Sequence, residues 1–348
     1  LFLSDFTEEE LKHCINGAYD DKFDTKEIAP LVKKDGAYYL ELFHGSTIAF
    51  KDMALSILPH LMITSARKNN IKNEIVILTA TSGDTGKAAM AGFADVPGTR
   101  IIVFYPKNGV SRVQELQMLT QKGANTSVVG IEGNFDDAQT GVKKIFGDKE
   151  FAKELDAMGF QLSSANSINI GRLVPQVVYY VYAYAKLLAN GEIEKDEKVN
   201  VVVPTGNFGN ILAAWYAKTI GTPLGTLFCA SNENRVLTDF IESGTYDITD
   251  REFVLTPSPS MDILVSSNLE RLLYALCGSD AEVAGYMQQL REQGSYTVSD
   301  ALKAKIQEVF AGGFCNDIQT REKIGHAWRD HRYLIDTHTA VAYHVLDD

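Results

Sequence analysis

Short runs of β-branched and other apolar residues alternate along the chain with longer amphipathic segments. The runs have the length and composition of buried strands and lie at 74–79, 100–104, 126–129, 199–203, 226–230 and 333–336. Apolar residues at helical spacing occupy 51–68, 86–94, 111–122, 171–190 and 210–220. Strands that alternate with helices form βαβ units, so the pattern predicts an α/β protein with two lobes, each a doubly wound and mostly parallel sheet.

Two loops of similar design follow predicted strands and lead into alanine-rich helices. One contains T-S-G-D-T-G at 81–86, and the other contains P-T-G-N-F-G-N at 204–210. Free N–H groups at a helix N-terminus attract anions, and open α/β sheets bind ligands at the carboxyl ends of their strands. The pair therefore predicts a ligand with two anionic groups, or two anionic ligands, in a cleft between the lobes. The alternative for each loop is a tight turn that requires small residues.

Neither loop matches a nucleotide-binding motif. A triphosphate loop needs glycine where the chain has Thr81 and a hydroxyl where it has Ala88. The loop at 206–210 lacks the third glycine of the dinucleotide fingerprint. We therefore expect the anions to belong to another class of ligand.

Lys51 is the candidate nucleophile. It follows a loop rich in glycine and hydroxyl groups, next to Phe50, where an apolar helix is predicted to begin. Apolar neighbours and a helix N-terminus disfavour the charged ammonium, and a neutral lysine is suited to forming an imine with a carbonyl cofactor. The alternative is a solvated lysine paired with Asp52.

A run of amide and hydroxyl side chains at 163–172 ends in an arginine. Asn166, Asn169 and Arg172 recur every three residues, so on a helical turn they would share one face. Such a face suits a phosphate or a carboxylate. The alternative is a capped helix start with polar decoration.

Composition and charge narrow the classes of partner. The chain has 348 residues, 45% of them hydrophobic, and a net charge of −12, which argues against a general binder of nucleic acid or of membrane surfaces. The apolar stretch 173–189 contains Pro175, Gln176 and Lys186, so it is too polar for a membrane span. Four widely separated cysteines without a metal-ligand pattern indicate no metal site and a reducing, cytoplasmic setting.

Taken together and in this order, four motifs resemble those of threonine synthase. They are H-G-S-T-x-A-F-K-D, T-S-G-D-T-G, S-A-N-S-I-N-x-G-R and P-T-G-N-F-G-N, and the resemblance continues through 257–263, 266–271 and 336–341. That family belongs to the second fold type of pyridoxal-phosphate enzymes, to which the tryptophan synthase β chain is similar. The resemblance implies a small lobe at 53–165, a large lobe formed by 1–52 and 166–348, and an active site between them. It also implies that a family N-terminal segment precedes this chain.

The resemblance implies a role for each matching residue. Lys51 would be the catalytic lysine that holds pyridoxal phosphate. The other implied cofactor-binding residues are Asp84, Gly206, Asn207, Phe208, Gly209, Asn210 and Thr339. The implied substrate-binding residues are Thr81, Ser82, Thr85, Asn166, Ser167, Asn169, Arg172 and Asn207. Thr339 would face the pyridine nitrogen and leave it largely unprotonated, and Asp84 would lie near the phenolic oxygen.

The implied reaction is the last step of threonine biosynthesis, a carbon–oxygen lyase reaction that converts O-phospho-L-homoserine and water into L-threonine and phosphate. The alternatives are a related pyridoxal-phosphate dehydratase or phospho-lyase, and a non-catalytic relative kept as a binding protein. The motif at 163–172 favours the synthase, because a dehydratase needs no second phosphate pocket. The implied assembly is a monomer or a homodimer. Ser46 departs from the proline frequent in H-G-P-T members.

Overall fold

The computed structural model describes residues 5–81 and 83–347, without the side chain of Asp136. The chain forms two compact units. Unit 1 comprises Leu1–Val32 and Leu40–Pro175, and unit 2 comprises Lys33–Tyr39 and Gln176–Asp348. The assignment of 1–52 to the larger lobe stays a prediction.

Unit 1 is built around a four-stranded parallel sheet. The chain runs through α1 (Glu8–Ala18), the hairpin strands β1 (Leu31–Lys34) and β2 (Ala37–Leu40), α2 (Asp52–Leu55), α3 (Leu58–Lys68), β3 (Glu74–Ala80), α4 (Asp84–Phe93), β4 (Thr99–Pro106), α5 (Arg112–Leu119), β5 (Thr126–Ile131), α6 (Phe135–Gly147), α7 (Lys149–Ala157) and β6 (Phe160–Ser164). The strand order is β5-β4-β3-β6. The central strand β3 is apolar on both faces, with Ile77 and Leu78 both buried, because helices cover both sides of a parallel sheet.

The sequence of unit 1 also determines where its helices begin. Ser111 caps α5 through the N–H of Gln114, whose side chain bonds back to Ser111 N, and Asn134 forms the same reciprocal box with Asp137 at the start of α6. Phe93 at the end of α4 is fully buried with Ile77 and the other core residues of this side of the sheet. The helices are thereby fixed at both their polar ends and their apolar faces.

Unit 2 contains a three-stranded parallel sheet and a short antiparallel pair. Its elements are α8 (Val174–Ala189), which begins at the unit boundary, β7 (Val199–Pro204), α9 (Gly209–Thr219), β8 (Leu224–Ser231), α10 (Val236–Ser243), β9 (Thr245–Asp247), α11 (Leu269–Cys277), α12 (Asp280–Gln293), β10 (Ser295–Thr297), α13 (Asp300–Gln307), β11 (Phe310–Phe314), α14 (Asp317–His331) and α15 (Thr337–Asp347). The parallel order is β11-β8-β7, and β9 pairs with β10. The predicted α/β class with mostly parallel sheets is confirmed.

The predicted strand at 333–336 is wrong. The segment lies between α14 and α15 without strand pairing, after Arg332 takes a left-handed conformation at φ 52°. Its apolar side chains are buried by helices instead of a sheet, since Ile335 packs with Ala327 and Ala340. The third strand of this sheet is β11, whose sequence F-A-G-G-F carries little β-branched signal. The predicted helix at 51–68 is also divided into α2 and α3.

Contacts within unit 2 anchor the turn of the β1–β2 hairpin. Asp35 lies 3.2 Å from His331 Nε2, and Tyr343 hydrogen-bonds with both Asp35 and His326. Asp35, His326 and His331 form the one group of potential metal ligands found in the described part of the chain. All four described cysteines are free thiols. None of the described helices has the length and apolarity needed to cross a membrane.

Candidate active site

Lys51 immediately precedes α2, and its loop is held by the next residue. Asp52 is buried, and its carboxylate accepts hydrogen bonds from Thr47 N at 2.8 Å and from Thr47 Oγ1 at 2.6 Å. Gly45 packs so closely on Asp52 that a Cβ at Gly45 would lie 2.6 Å from the carboxylate. Asp52 is therefore engaged with its own loop, and the predicted alternative of a Lys51–Asp52 pair does not describe the printed geometry.

The environment of Lys51 favours a neutral amine. Its side chain is 11% exposed, and its Nζ lies 5.1 Å from the centre of the Phe50 ring. Burial lowers the pKa of Lys51, which the nearby carboxylate of Asp84 opposes and the positive charge of Arg172 reinforces. The distance from Lys51 Nζ to Asp84 Oδ2 is 3.5 Å. A lysine with a lowered pKa is a better nucleophile and proton acceptor near neutral pH.

The loop at 81–86 is shaped by one buried hydroxyl. Thr81 Oγ1 accepts hydrogen bonds from the N–H groups of Gly83 and Gly86, each at 2.9 Å. Gly83 has φ 146°, which strongly favours glycine. This turn places Asp84 at the first position of α4, where the helix dipole stabilises a carboxylate. Thr85 is half-buried beside it, and Ser82 lies outside the described residues.

The run at 163–172 uses its polar side chains to hold the ends of two strands. Asn166 Nδ2 donates to Ala80 O at 3.1 Å, and Asn169 Nδ2 donates to Ser164 O at 2.8 Å. Asn169 N and Arg172 N bond to carbonyls three residues earlier, so the three predicted residues follow successive tight turns. Ser167 is half-buried in the same segment. The scaffold of the segment is thus made by its amides.

Arg172 is a buried cation in unit 1. Its side chain is largely inaccessible, and Nη1 donates to Ala165 O at 2.8 Å. Burial lowers the pKa of Arg172 to about 10, which leaves the guanidinium charged at neutral pH. A buried guanidinium attracts anions strongly, because little water screens its charge.

The second loop leads from β7 into α9 in unit 2. Phe208 has a left-handed φ of 61° and is buried, with its ring 5.5 Å from that of Phe310. No side chain caps the start of α9 through a hydrogen bond at Phe208. Gly206 approaches another backbone closely, since a Cβ there would lie 2.5 Å from Ser260 O. The loop therefore presents the N-terminus of an 11-residue helix on a tightly packed backbone.

Neighbouring side chains fix this second loop. The carbonyl of Asn207 accepts hydrogen bonds from Asn268 N at 3.2 Å and from Asn268 Nδ2 at 2.9 Å, while its side chain is exposed. Asn210 Oδ1 accepts hydrogen bonds from Tyr179 and Tyr180, both at 2.6 Å. The side chain of Asn210 therefore supports α9, and the backbone of the loop is what it can offer to an anion.

Thr339 occupies the first turn of α15 in unit 2. Its N–H donates to Asp336 Oδ1 at 2.8 Å, and Asp336 Oδ2 lies 2.7 Å from His338 Nδ1. Despite desolvation, the hydrogen bond and charge of His338 lower the pKa of Asp336 to about 2. Asp336 is thus a firm acceptor that orients the start of α15.

Within unit 1 the structure brings Lys51 and Asp84 into contact, with Arg172 close enough to influence Lys51. The unit 2 candidates are the 206–210 loop and Thr339, described above. Sequence reasoning missed Gln114, which donates to Asp84 Oδ1 at 2.9 Å, and Lys87, which lies 3.3 Å from the same oxygen. The i, i+3 spacing of Asp84 and Lys87 on a helix was the available signal for Lys87. Gln114 is distant in sequence and gave none.

Comparison with known proteins identifies the family. A profile described as "Pyridoxal-phosphate dependent enzyme" matches residues 26–348. The chain belongs to this family. Its cofactor is pyridoxal phosphate, and its relatives are threonine synthases and threonine synthase-like proteins.

Three relatives illustrate the similarity. The chain is 42% identical to human "Threonine synthase-like 1" over 99% of its own length and 47% of the relative's, and 36% identical to "Threonine synthase" of Saccharomyces cerevisiae over 95% and 68%. The crystal structure of PLP-bound threonine synthase from Brucella melitensis is 39% identical, with a TM-score of 0.90 over 99% of this chain and 73% of that one. The chain thus spans about half the length of the threonine synthase-like 1 relatives.

The residues present fit pyridoxal phosphate. The cofactor needs an amine for its aldehyde, and Lys51 is a buried lysine with a lowered pKa. The cofactor also needs a phosphate cradle, and the 206–210 loop offers an N-terminus without a side-chain cap. Gly206 has no room for a side chain, as expected where backbone groups must stay close together.

Proposed function

We propose that the protein is a threonine synthase that converts O-phospho-L-homoserine and water into L-threonine and phosphate. The observation that carries the proposal is the group formed by Lys51, Asp84 and Arg172 in unit 1. It combines a lysine with a lowered pKa, a carboxylate 3.5 Å from it and a buried guanidinium that acts on it electrostatically. The similarity to threonine synthases supports this choice of substrate.

Lys51 holds the cofactor and then moves protons as a free amine. When bound, the cofactor supplies the electron sink for charge that develops next to the amino group of the substrate. The Lys51 amine takes the proton from Cα of the substrate and then a proton from Cβ, which allows the γ-phosphate to leave. It later returns a proton to the carbon skeleton as water adds at Cβ. Its lowered pKa suits both directions of transfer near neutral pH.

The cofactor is held by groups that are either backbone or neutral. The N–H groups of Gly206, Asn207, Phe208, Gly209 and Asn210 bind its phosphate in this proposal. The hydroxyl of Thr339 faces its pyridine nitrogen, and a neutral partner leaves that nitrogen largely unprotonated. Asp84 lies towards the phenolic oxygen, where its hydrogen bond from Gln114 fixes its orientation.

The substrate has two anionic ends that need different partners. We assign the phosphate to Arg172 and the amides and hydroxyl of Asn166, Ser167, Asn169 and Asn207. Arg172 is the main cation of this pocket and strengthens its hold as the phosphate departs. The carboxylate is assigned to the loop that carries Thr81, Ser82 and Thr85. Thr81 Oγ1 shapes this loop, and its own O–H hydrogen remains available for donation.

A coupled product assay tests the proposal. Purified protein with cofactor should release phosphate from O-phospho-L-homoserine and form an equal amount of threonine. Lys51→Ala should abolish both products and the borohydride-fixed attachment of the cofactor. Wild-type turnover in Lys51→Ala would overturn the assignment of the catalytic lysine.

The second candidate is a related pyridoxal-phosphate dehydratase or phospho-lyase. It shares Lys51 and the cofactor loop, so the discriminating observation is the buried cation at Arg172 behind the amides of 163–172. A dehydratase substrate carries no phosphate to use that cation. Formation of a 2-oxo acid without threonine would favour this second candidate. A non-catalytic relative would show cofactor attachment and no turnover of either substrate.

A further inference from the structure

Lys87 is a buried lysine to which neither the sequence motifs nor the proposed reaction assigns a role. It lies on α4, three residues after Asp84, and its residue is 9% exposed. Its Nζ donates to Thr47 O at 3.1 Å and lies 3.3 Å from Asp84 Oδ1. Burial of an ammonium is costly unless it is paired, so these two contacts account for its place in unit 1.

Two lysines therefore share the carboxylate of Asp84. Lys87 lies at Oδ1, together with the amide of Gln114, and Lys51 lies at Oδ2 at 3.5 Å. Asp84 is also at the first position of α4, where the helix N-terminus favours the carboxylate. Because Gln114 and the helix remain when Lys87 is removed, Asp84 stays ionised without it.

The shared carboxylate creates a conflict that Lys87 resolves. Lys51 must be a neutral amine to attack and to accept protons, but an unopposed carboxylate at 3.5 Å would favour its ammonium form. The positive charge of Lys87 offsets that carboxylate and repels a second cation at Lys51. Both effects act in the same direction, and both are carried by charge rather than by the shape of the side chain.

We propose that Lys87 is a positioning residue that neutralises Asp84 and thereby keeps the Lys51 amine unprotonated. A purely structural role, in which Lys87 only ties the 45–51 loop to α4 through Thr47 O, makes a different prediction. In that case any side chain that restores the packing restores the protein, whatever its charge. The proposal rests on the proposed function only in that Lys51 is the reactive lysine.

The test measures the protonation of Lys51 directly in the whole chain, without substrate. Cofactor is removed with an amine reagent, and the chain is trace-labelled with acetic anhydride from about pH 6 to about pH 10.5. Mass spectrometry of the peptide that contains Lys51 gives the midpoint of its titration. The variants are Lys87→Met, which removes the charge and keeps the length, and Lys87→Arg, which keeps the charge.

The proposal predicts that Lys87→Met raises the Lys51 midpoint by about one pH unit, equivalent to about tenfold less labelling below the midpoint. Lys87→Arg should return the midpoint close to the wild-type value. An unchanged or lowered midpoint in Lys87→Met, or equal shifts in both variants, would overturn the proposal. Should Lys87→Met fail to fold, Lys87→Gln retains an N–H donor for Thr47 O and carries the same prediction.

A second measurement separates this inference from the proposed function. In the loaded enzyme, the acid limb of the kcat profile should move to higher pH by the same amount in Lys87→Met. If the protein has no threonine synthase activity, the labelling midpoint still tests Lys87. If the labelling shift is absent while threonine is formed, the inference about Lys87 fails and the proposed function stands.

Discussion

Two glycines in the same loop should respond in opposite ways to the same substitution. In Gly206→Ala the new Cβ would lie 2.5 Å from Ser260 O and 3.2 Å from Met261 Cα. Both neighbours are backbone atoms, so a rotamer change cannot relieve the clash. In Gly209→Ala the nearest atom is Asn268 Nδ2 at 3.5 Å, which is an ordinary contact. The second variant is therefore a matched control for the first.

The magnitudes follow from two competing terms. Replacing glycine by alanine stabilises a protein by about 0.4–1 kcal/mol where the backbone permits it, because the unfolded chain loses freedom. At Gly206 an overpacking cost of about 1–3 kcal/mol opposes this gain. The backbone there cannot move freely, since Gly206 O accepts from Ser266 Oγ at 3.1 Å and Ser260 N donates to His338 Nε2 at 3.2 Å. Strain should win at Gly206, and the entropic gain should win at Gly209.

Thermal unfolding of the cofactor-free chains, followed by circular dichroism, measures both terms. At about 2–4 °C per kcal/mol, Gly206→Ala should lower the unfolding midpoint by about 2–8 °C, and Gly209→Ala should leave it unchanged or slightly raised. Gly206→Ala should also weaken cofactor binding at least about tenfold, because the phosphate loop must shift. Equal midpoints for Gly206→Ala and the wild type would refute the close-packing argument.

Three further predictions concern the polar groups of unit 1. Thr81→Val should destabilise the protein by about 2–4 kcal/mol in denaturant unfolding, because two N–H groups lose their acceptor, while Thr81→Ser should retain most of the stability. Arg172→Leu should raise KM for O-phospho-L-homoserine at least about tenfold with a smaller effect on cofactor affinity; unchanged kinetics would remove Arg172 from the phosphate pocket. Burial raises the pKa of Asp52, so its contribution to stability is complete below the unfolded pKa and declines as pH rises through the folded one. The deficit in unfolding midpoint of Asp52→Asn relative to the wild type should therefore be smaller at pH 8 than at pH 5, and a larger deficit at pH 8 would contradict this sign.

The hydrophobic pattern was sufficient to predict the strands of the parallel sheets that are rich in β-branched residues. Strands β3, β4 and β7 are continuous apolar runs because helices cover both faces of their sheets. The same pattern failed for β11, where two glycines replace the expected side chains. Gly312 lies against the helix α10, and a Cβ there would meet Thr238 at 2.9 Å. Close approach of a helix thus removed the signal that identifies a strand.

The candidate site was predictable as a set of motifs and not as a set of contacts. The position of Lys51 at the start of a helix and its lowered pKa follow from local sequence. The partnership of Asp84 with Gln114 depends on how α4 packs beside α5, 30 residues later, and no local pattern contains that information. Likewise, the two tyrosines that hold Asn210 lie on α8, about 30 residues earlier. Motifs identify reactive residues, whereas packing determines which neighbours orient them.

The central claim is that Lys51 and its charged neighbours catalyse threonine formation from a phosphorylated amino acid. The most direct test is to incubate the cofactor-loaded protein with O-phospho-L-homoserine and to measure phosphate and threonine in the same sample. The account predicts equal amounts of both products, with neither formed by Lys51→Ala. Phosphate release without threonine, or no release by a chain that binds the cofactor at Lys51, would contradict it.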